Sequence, residues 1–258
     1  MHIISIVNQK GGVGKTTTTM NLATALCAMK KKVLVIDLDP QSNTTSGLGM
    51  HVEPLQPTIY DLIIGKSNIK DVIIKTPIPN LSIIPTTIDL SGAEIDLVNM
   101  ENKEFRLKQA LDGLKDFDYV FIDCPPSLGL LTVNALVASN DVLIPLQCEY
   151  FALEGLSHLV KTIRGINVSL NKELKIRGIV LTMYDSRNNL SKMVNTDVRK
   201  YYDKLVYTTV IPRNVKISEA PSHGYPVIIY DPSCVGSKAY IDLAVEVILQ
   251  DDTKHKKV

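Results

Sequence analysis

The sequence predicts one α/β domain, a mainly parallel twisted sheet with helices on both faces. Three observations predict it. Apolar strand-like runs alternate with amphipathic helix-like segments almost to the end of the chain. A glycine turn, Gly11-Gly12-Val13-Gly14, joins the first strand to the first helix. The 258 residues, 45% hydrophobic and 21% charged, supply core for one large domain of ordinary globular composition. Repeated strand–helix units require right-handed crossovers, which set parallel strands side by side. No internal repeat, low-complexity segment or long linker divides the chain. Residues 1–250 read as the domain, and 251–258, DDTKHKKV, as a polar, frayed tail without an apolar face.

Ile3, Ile4, Ile6 and Val7 form the first buried strand, and Leu22, Ala25 and Leu26 share one side of the first helix. Val33 to Ile36 is the second strand, closing on Asp37 and Asp39. The loop SNTTSGLGM leads past Pro54 and Pro57 to a short helix at Ile59–Ile64, then a strand at Leu81–Ile84. Phe105, Leu107, Ala110, Leu111 and Leu114 mark a helix. DYVFIDCPPSLG is a strand stopped by two prolines, LLTVNALVAS the next helix, and Val142 to Pro145 another strand. Leu153, Leu156, Val160 and Ile163 recur at helical spacing. IRGIVLTMY is a strand, Leu190–Leu205 a helix, VYTTVIP a strand and Ala239–Leu249 the closing helix.

Strand, glycine turn and helix are the setting of a phosphate-binding loop. A helix start carries unpaired N–H groups and partial positive charge, and glycines let the backbone curl around an anion. Gly11, Gly12, Val13 and Gly14 would cradle the phosphates, with Lys15 reaching the β and γ groups and Thr17 beside them. The Thr16 hydroxyl is placed to ligate Mg²⁺. Four consecutive threonines are poor helix formers, which points to hydroxyl chemistry. Asp123, ending an apolar strand, belongs in the Mg²⁺ shell, through a water molecule. Pro125-Pro126 fixes the backbone where a loop must sense the γ-phosphate.

The usual loop has glycine where this chain has Gln9, and Lys10 precedes the glycines instead. KGGVGKTT resembles the deviant Walker A box of the ParA/MinD group of P-loop ATPases. DLDPQ, DCPPSLG, EYFALEG and SEAPSHG follow in the order of the Soj branch of ParA, and the resemblance runs from Ile3 to about Leu249. It implies an ATP- and Mg²⁺-dependent ATPase that segregates chromosome or plasmid DNA. Lys10 would cross a homodimer interface to the partner's nucleotide, Asp39 would position the attacking water, and Asp37 would support the metal or its waters. Pro212 and Asn214 would border the adenine. The plainer readings are a solvated Lys10, an Asp39 that only caps the turn at Pro40, and a simple turn at Pro212–Asn214.

The resemblance also implies an ATP-dependent homodimer that binds double-stranded DNA without sequence preference, and a ParB-type centromere-binding partner that stimulates hydrolysis. Arg187 and Lys216 are the leading phosphate contacts, ahead of Lys192, Arg199, Lys200, Lys204 and Arg213. With a net charge of +1, such binding must come from a local patch. No stacking aromatics or helix-turn-helix pattern points to sequence-specific reading.

Cys27, Cys124, Cys148 and Cys234 are scattered without CxxC pairing, as in a reducing compartment. Residue 1 leads directly into a strand and no run reaches ~18 apolar residues. The expectation is a cytoplasmic, nucleoid-associated protein that does not use a membrane. Two rivals share the loop. A MinD-type membrane ATPase needs an amphipathic C-terminal helix, which DDTKHKKV does not offer. An electron carrier like the nitrogenase iron protein needs cluster cysteines, for which Cys124 is the candidate.

Overall fold

A computed structural model describes residues 1–255 of the chain. Its frame is one eight-stranded sheet in the order β3-β4-β2-β5-β1-β6-β7-β8. The strands are β1 (His2–Ile6), β2 (Val33–Asp37), β3 (Ile74–Lys75), β4 (Leu81–Ile84), β5 (Tyr119–Asp123), β6 (Asp141–Gln147), β7 (Lys175–Tyr184) and β8 (Val206–Pro212). Every pairing is parallel except that of β3 with β4 at one edge.

Two helix layers enclose the sheet, so β2 and β5 are buried at every position and read as continuous apolar runs. Val33, Val35, Tyr119 and Phe121 face one side, with α1 (Lys15–Ala28) and the closing helix. Leu34, Ile36, Val120 and Ile122 face the other. There lie α3 (Ile59–Ile63), α5 (Ala93–Val98), α6 (Arg106–Ala110), α7 (Leu130–Ala138), α8 (Ala152–Ser169) and α9 (Asn189–Tyr202). Truncating the fully buried Phe121 to alanine carries a cost of about 3–5 kcal/mol. Short helices α2 (Asn43–Gly47), α4 (Ile69–Val72), α10 (Val215–Glu219) and α11 (Val227–Tyr230) decorate the connections.

The strand order reverses about β1, between β5 and β6. In such a sheet the crevice beyond the strand ends at that point is the ligand-binding position. Register brings the acidic strand ends together there: Asp123 pairs with Ile6 on one side and Asp37 on the other.

The architecture is the expected one, and the departures are local. SNTTSGLGM contains a helix, α2, because the carboxylate of Asp37 accepts both the backbone N–H and the hydroxyl of Thr45. The Phe105–Leu114 helix is a single short segment, α6. The Leu190–Leu205 helix ends at Tyr202, where Asp203 takes a left-handed φ of 25° and a 3₁₀ turn follows.

The largest departure is at the C-terminus. The closing helix, α12, runs Val235–His255, so the segment read as a frayed tail begins as helix. Residues 256–258 lie outside the described residues. The cause is Asp251, whose carboxylate accepts from the Arg177 guanidinium at 2.7 Å and the Tyr119 hydroxyl at 2.7 Å. Arg177 also reaches Asp141 at 3.0 Å and the Val247 carbonyl at 2.8 Å. Buried charges persist only when paired and hydrogen-bonded.

Burial raises the pKa of Asp251, but its bonds to Arg177 and Tyr119 outweigh this and hold it below the ordinary carboxylate range. A depressed pKa contributes stability that is present above the unfolded value and lost as pH falls through the folded one. We therefore expect Asp251→Ala to lower stability by roughly 1–3 kcal/mol near pH 7. The gap in Tm to the parent should close below about pH 4. Thermal unfolding across that range checks it, and a gap independent of pH would remove the ion pair as the cause.

Candidate nucleotide site

The loop after β1 curls because two of its residues have left-handed backbone, Gly12 at φ 73° and Gly14 at φ 89°. A Cβ at Gly11 or Gly12 would meet nothing within 4 Å, so the concave side of the loop is open. Gly14 caps α1, whose first turn carries no acidic residue and no side-chain cap. Its N–H groups and positive end are left for an anion. The Thr182 hydroxyl of β7 donates to the Val13 carbonyl at 2.8 Å and ties the loop to a strand two places away in the sheet.

Lys15 is buried beneath this loop, its ammonium 3.4 Å from the Lys10 carbonyl. Burial lowers its pKa, opposed chiefly by the charge of Asp123. Lys10 points outward, half-exposed, and its ammonium pairs with the Glu149 carboxylate in the turn between β6 and α8. Next to Glu149, Tyr150 and Phe151 are exposed and pack edge to face, centroids 5.0 Å apart. The Lys10 ammonium is therefore not freely solvated but held by Glu149.

Asp123 is the hub. Its Oδ2 accepts the Thr16 hydroxyl at 2.7 Å and the Thr44 hydroxyl at 2.6 Å, and its Oδ1 accepts Thr19 at 3.3 Å. Asp37, alongside, is held by Thr45 and by the Asp39 N–H at 3.3 Å. Its carboxylate thus anchors α2, a role the sequence did not suggest. Burial raises the pKa of both carboxyls; for Asp37 the Asp123 charge adds to this, and for Asp123 the Thr44 and Thr16 bonds oppose it. Asp39 Oδ1 accepts the Gln41 N–H at 3.0 Å, so it does cap the turn, while Oδ2 takes no protein hydrogen bond among the described residues.

Asp123 and Asp39 act on the one buried lysine, Asp37 lies beside Asp123, and the donor set is all oxygen. That chemistry fits a hard divalent cation such as Mg²⁺, with Thr16 and Asp123 as the residues to hold it. When bound, the ion would neutralise phosphate charge.

A cavity of about 260 Å³ opens beside the loop, lined by Gly14, Thr17, Thr182, Met183, Pro212 and Asn214 among others. Met183 has a left-handed φ of 50°, uncommon outside glycine and concentrated at functional sites. Asn214 caps α10 by accepting the Lys216 N–H at 2.9 Å, which leaves its amide NH₂ for a ligand. The turn reading and the base-contact reading of Asn214 are thus compatible.

Arg187 and Lys216 lie past the ends of β7 and β8, at the same sheet edge. Each is locally neutralised. Arg187 is 89% exposed but forked onto Asp185 at 2.9 and 3.0 Å, and Lys216 pairs with Glu219 at 2.9 Å above the Tyr230 ring. Arg199 is committed to carbonyls of Tyr207 and Thr208, whereas Lys192, Lys200 and Lys204 face solvent. Cys124 is fully buried and burial pushes its thiol pKa up, the setting of a core residue. Thr44, Thr45, Thr182 and Glu149 were not singled out in the sequence. The hydroxyl run after DLDPQ signals the first two, and Glu149 opens the EYFALEG motif though no role was attached to it; Thr182, in an apolar strand, gives no local signal.

An AAA domain family model matches residues 1–176. The chain is 54% identical over 246 residues to the sporulation initiation inhibitor protein Soj of Bacillus subtilis, covering 95% of this chain and 97% of that protein. It is 50% identical over 260 residues to the chromosome partitioning protein ParA of Caulobacter vibrioides, covering 100% and 97%. Among solved structures, cobyrinic acid a,c-diamide synthase of Mycobacterium smegmatis with bound ADP and magnesium matches with a TM-score of 0.82. The identity is 36%, over 96% of this chain and 94% of that one.

Two substitutions probe the cradle. Lys15→Ala should abolish the rise in Tm that ATP produces. Thr182→Val keeps the shape and loses one hydrogen bond to the loop, about 1 kcal/mol, so ATP affinity by calorimetry should fall about fivefold. Unchanged affinity would free the loop from Thr182.

Proposed function

The chain belongs to the Soj/ParA family of chromosome-partitioning ATPases, and we propose that it uses ATP to switch its own affinity for DNA. The carrying observation is that Thr16 of the phosphate loop and Thr44 of α2 share the Asp123 carboxylate. Nucleotide state at the loop has only this one carboxylate to cross to reach a second segment, as suits a γ-phosphate switch.

In this reading the loop N–H groups and Lys15 hold the phosphates of ATP, and Pro212 and Asn214 border the adenine. Thr16 and Asp123 hold Mg²⁺, Asp123 through water. The Oδ2 of Asp39 orients the water that attacks the γ-phosphoryl group, giving ADP and phosphate. ATP drives two chains face to face, and Lys10 leaves Glu149 for the phosphates of the second copy. Tyr150 and Phe151, exposed beside Glu149, give that face apolar contact area. The dimer binds double-stranded DNA without sequence preference, Arg187 and Lys216 supplying phosphate contacts, and a ParB-type partner stimulates hydrolysis and release. Among the described residues no helix is long and apolar enough to cross a membrane, and a nucleoid-associated cytoplasmic location suits the cycle.

Light scattering with ATP separates the first two roles. Lys10→Ala should bind ATP and stay monomeric, whereas Asp39→Ala should dimerise and stall with hydrolysis lost. A Lys10→Ala dimer as stable as the parent's would return Lys10 to the solvent side.

DNA co-sedimentation with ATP, ADP and no nucleotide tests the readout. Binding should require ATP and weaken with salt, with a log–log slope of about −0.9 per phosphate contact. Arg187→Glu should abolish it while dimerisation persists. Asp185→Asn should strengthen it, because the guanidinium is released from its fork. Equal binding in all three nucleotide states would sink the proposal.

A further inference from the structure

Away from the nucleotide, a groove of about 1130 Å³ opens between the segment before α3 and the 3₁₀ turn Ile88–Gly92 that leads into α5. Leu55 and Ile88 line it, one fully exposed and the other 63%. Beyond the groove, the helix α5 that follows leaves Ile95, 74% exposed, and Val98, 56% exposed. The core does not need these side chains, since Leu90, Ala93 and Leu97 already bury the inner face of the same segment. Single exposed apolar residues are ordinary, but a run of them bordering a groove marks a contact surface.

The charge around the groove is net acidic. Glu53, Asp61 and Asp89 line it against Lys66 as the basic residue among its described lining. Asp96, at its edge, accepts the Tyr60 hydroxyl at 2.8 Å. None of these carboxylates is in an ion pair among the described residues.

The groove is linked to α2 and to the loop that leaves Asp123. Thr87 lines it, and the preceding Thr86 donates its N–H to the Thr45 hydroxyl at 3.2 Å, which in turn donates to Asp37. On α5, Glu94 accepts the Leu131 N–H at 3.4 Å and lies against Gly129, at the start of α7. Gly129 ends the loop that begins at Asp123 and runs through Pro125 and Pro126.

We propose that this groove docks a short amphipathic segment of the regulatory partner, apolar side chains on Leu55, Ile88 and Ile95 and lysine or arginine side chains on Glu53, Asp61 and Asp89. Docking there moves Thr86 and Glu94 together, and so reaches the Thr45–Asp37 and Leu131–Glu94 hydrogen bonds. The proposal rests on the reading of the chain as a partner-stimulated ATPase, and the test keeps the two apart.

The full chain is compared with Ile88→Ser/Ile95→Ser and with Asp89→Lys, a surface change that leaves the core intact. One arm measures ATP hydrolysis with the ParB-type protein of the same genome. The other measures binding of a synthetic leucine–lysine amphipathic peptide against its leucine–glutamate counterpart. Both variants should keep basal hydrolysis and ATP-dependent dimerisation within twofold, and lose stimulation at least tenfold. The leucine–lysine peptide should bind the parent at least tenfold more tightly than its counterpart, and each variant should erase that preference. Full stimulation of either variant, or a peptide preference unchanged by the substitutions, overturns the proposal. If the parent itself is not stimulated, the ParB-type reading fails and the peptide arm alone decides the groove. Pelleting with anionic liposomes that depends on Ile88 and Ile95 would assign the face to a membrane and overturn it as well.

Discussion

Asp123 is fully buried at the end of β5 and accepts hydrogen bonds from three threonines on two separate segments, α1 and α2. A carboxylate in that position is costly unless its lone pairs are filled, and burial alone pushes its pKa up. The threonine run after Lys15 answers this, at some loss of helix propensity. Asp37 sits beside it by strand register and makes the same demand, met by Thr45 and the backbone of Asp39. The phosphate loop, the α2 segment and the β5 exit are thus held in one arrangement by a shortage of positive charge. A ligand that brings a divalent cation changes that balance first.

Close backbone approaches carry such a change outward. Gly49 and Gly224 both have left-handed backbone, and a Cβ on either would stand 2.9 Å from the backbone of the other. Gly47 is similarly tight against Met20 of α1. These contacts hold α2 and the turn after it to the phosphate-loop helix and to the segment after α10, whose Pro221 lines the cavity beside the loop. Packed interiors transmit displacement because they lack room to absorb it.

The exposed cations near the sheet edge share a feature that net charge conceals. Lys10, Arg187 and Lys216 each rest against an acid of the same chain, Glu149, Asp185 and Glu219. Exposed pairs of this kind are worth only about 0–1 kcal/mol, so they are readily exchanged. In the proposed function a phosphate group would compete for the same cation with more charge, and the pairs would act as thresholds rather than as structural bonds.

Much of this was written into the local sequence. Alternating apolar runs gave the layers, and the glycine turn with its lysines and threonines located the phosphate cradle, because left-handed backbone and hydroxyl chemistry leave residue-level marks. Asp37 and Asp123 were legible as strand ends. That they lie side by side was not, since register between β2 and β5 is fixed by packing between residues 86 positions apart in the chain. The partners of charged groups were equally hidden. Glu149 meets Lys10, Thr182 supports Val13, and Asp251 draws a polar tail into helix through Arg177, each across more than 70 positions. Such contacts depend on where crossovers place distant strand ends, and only the folded sheet decides that.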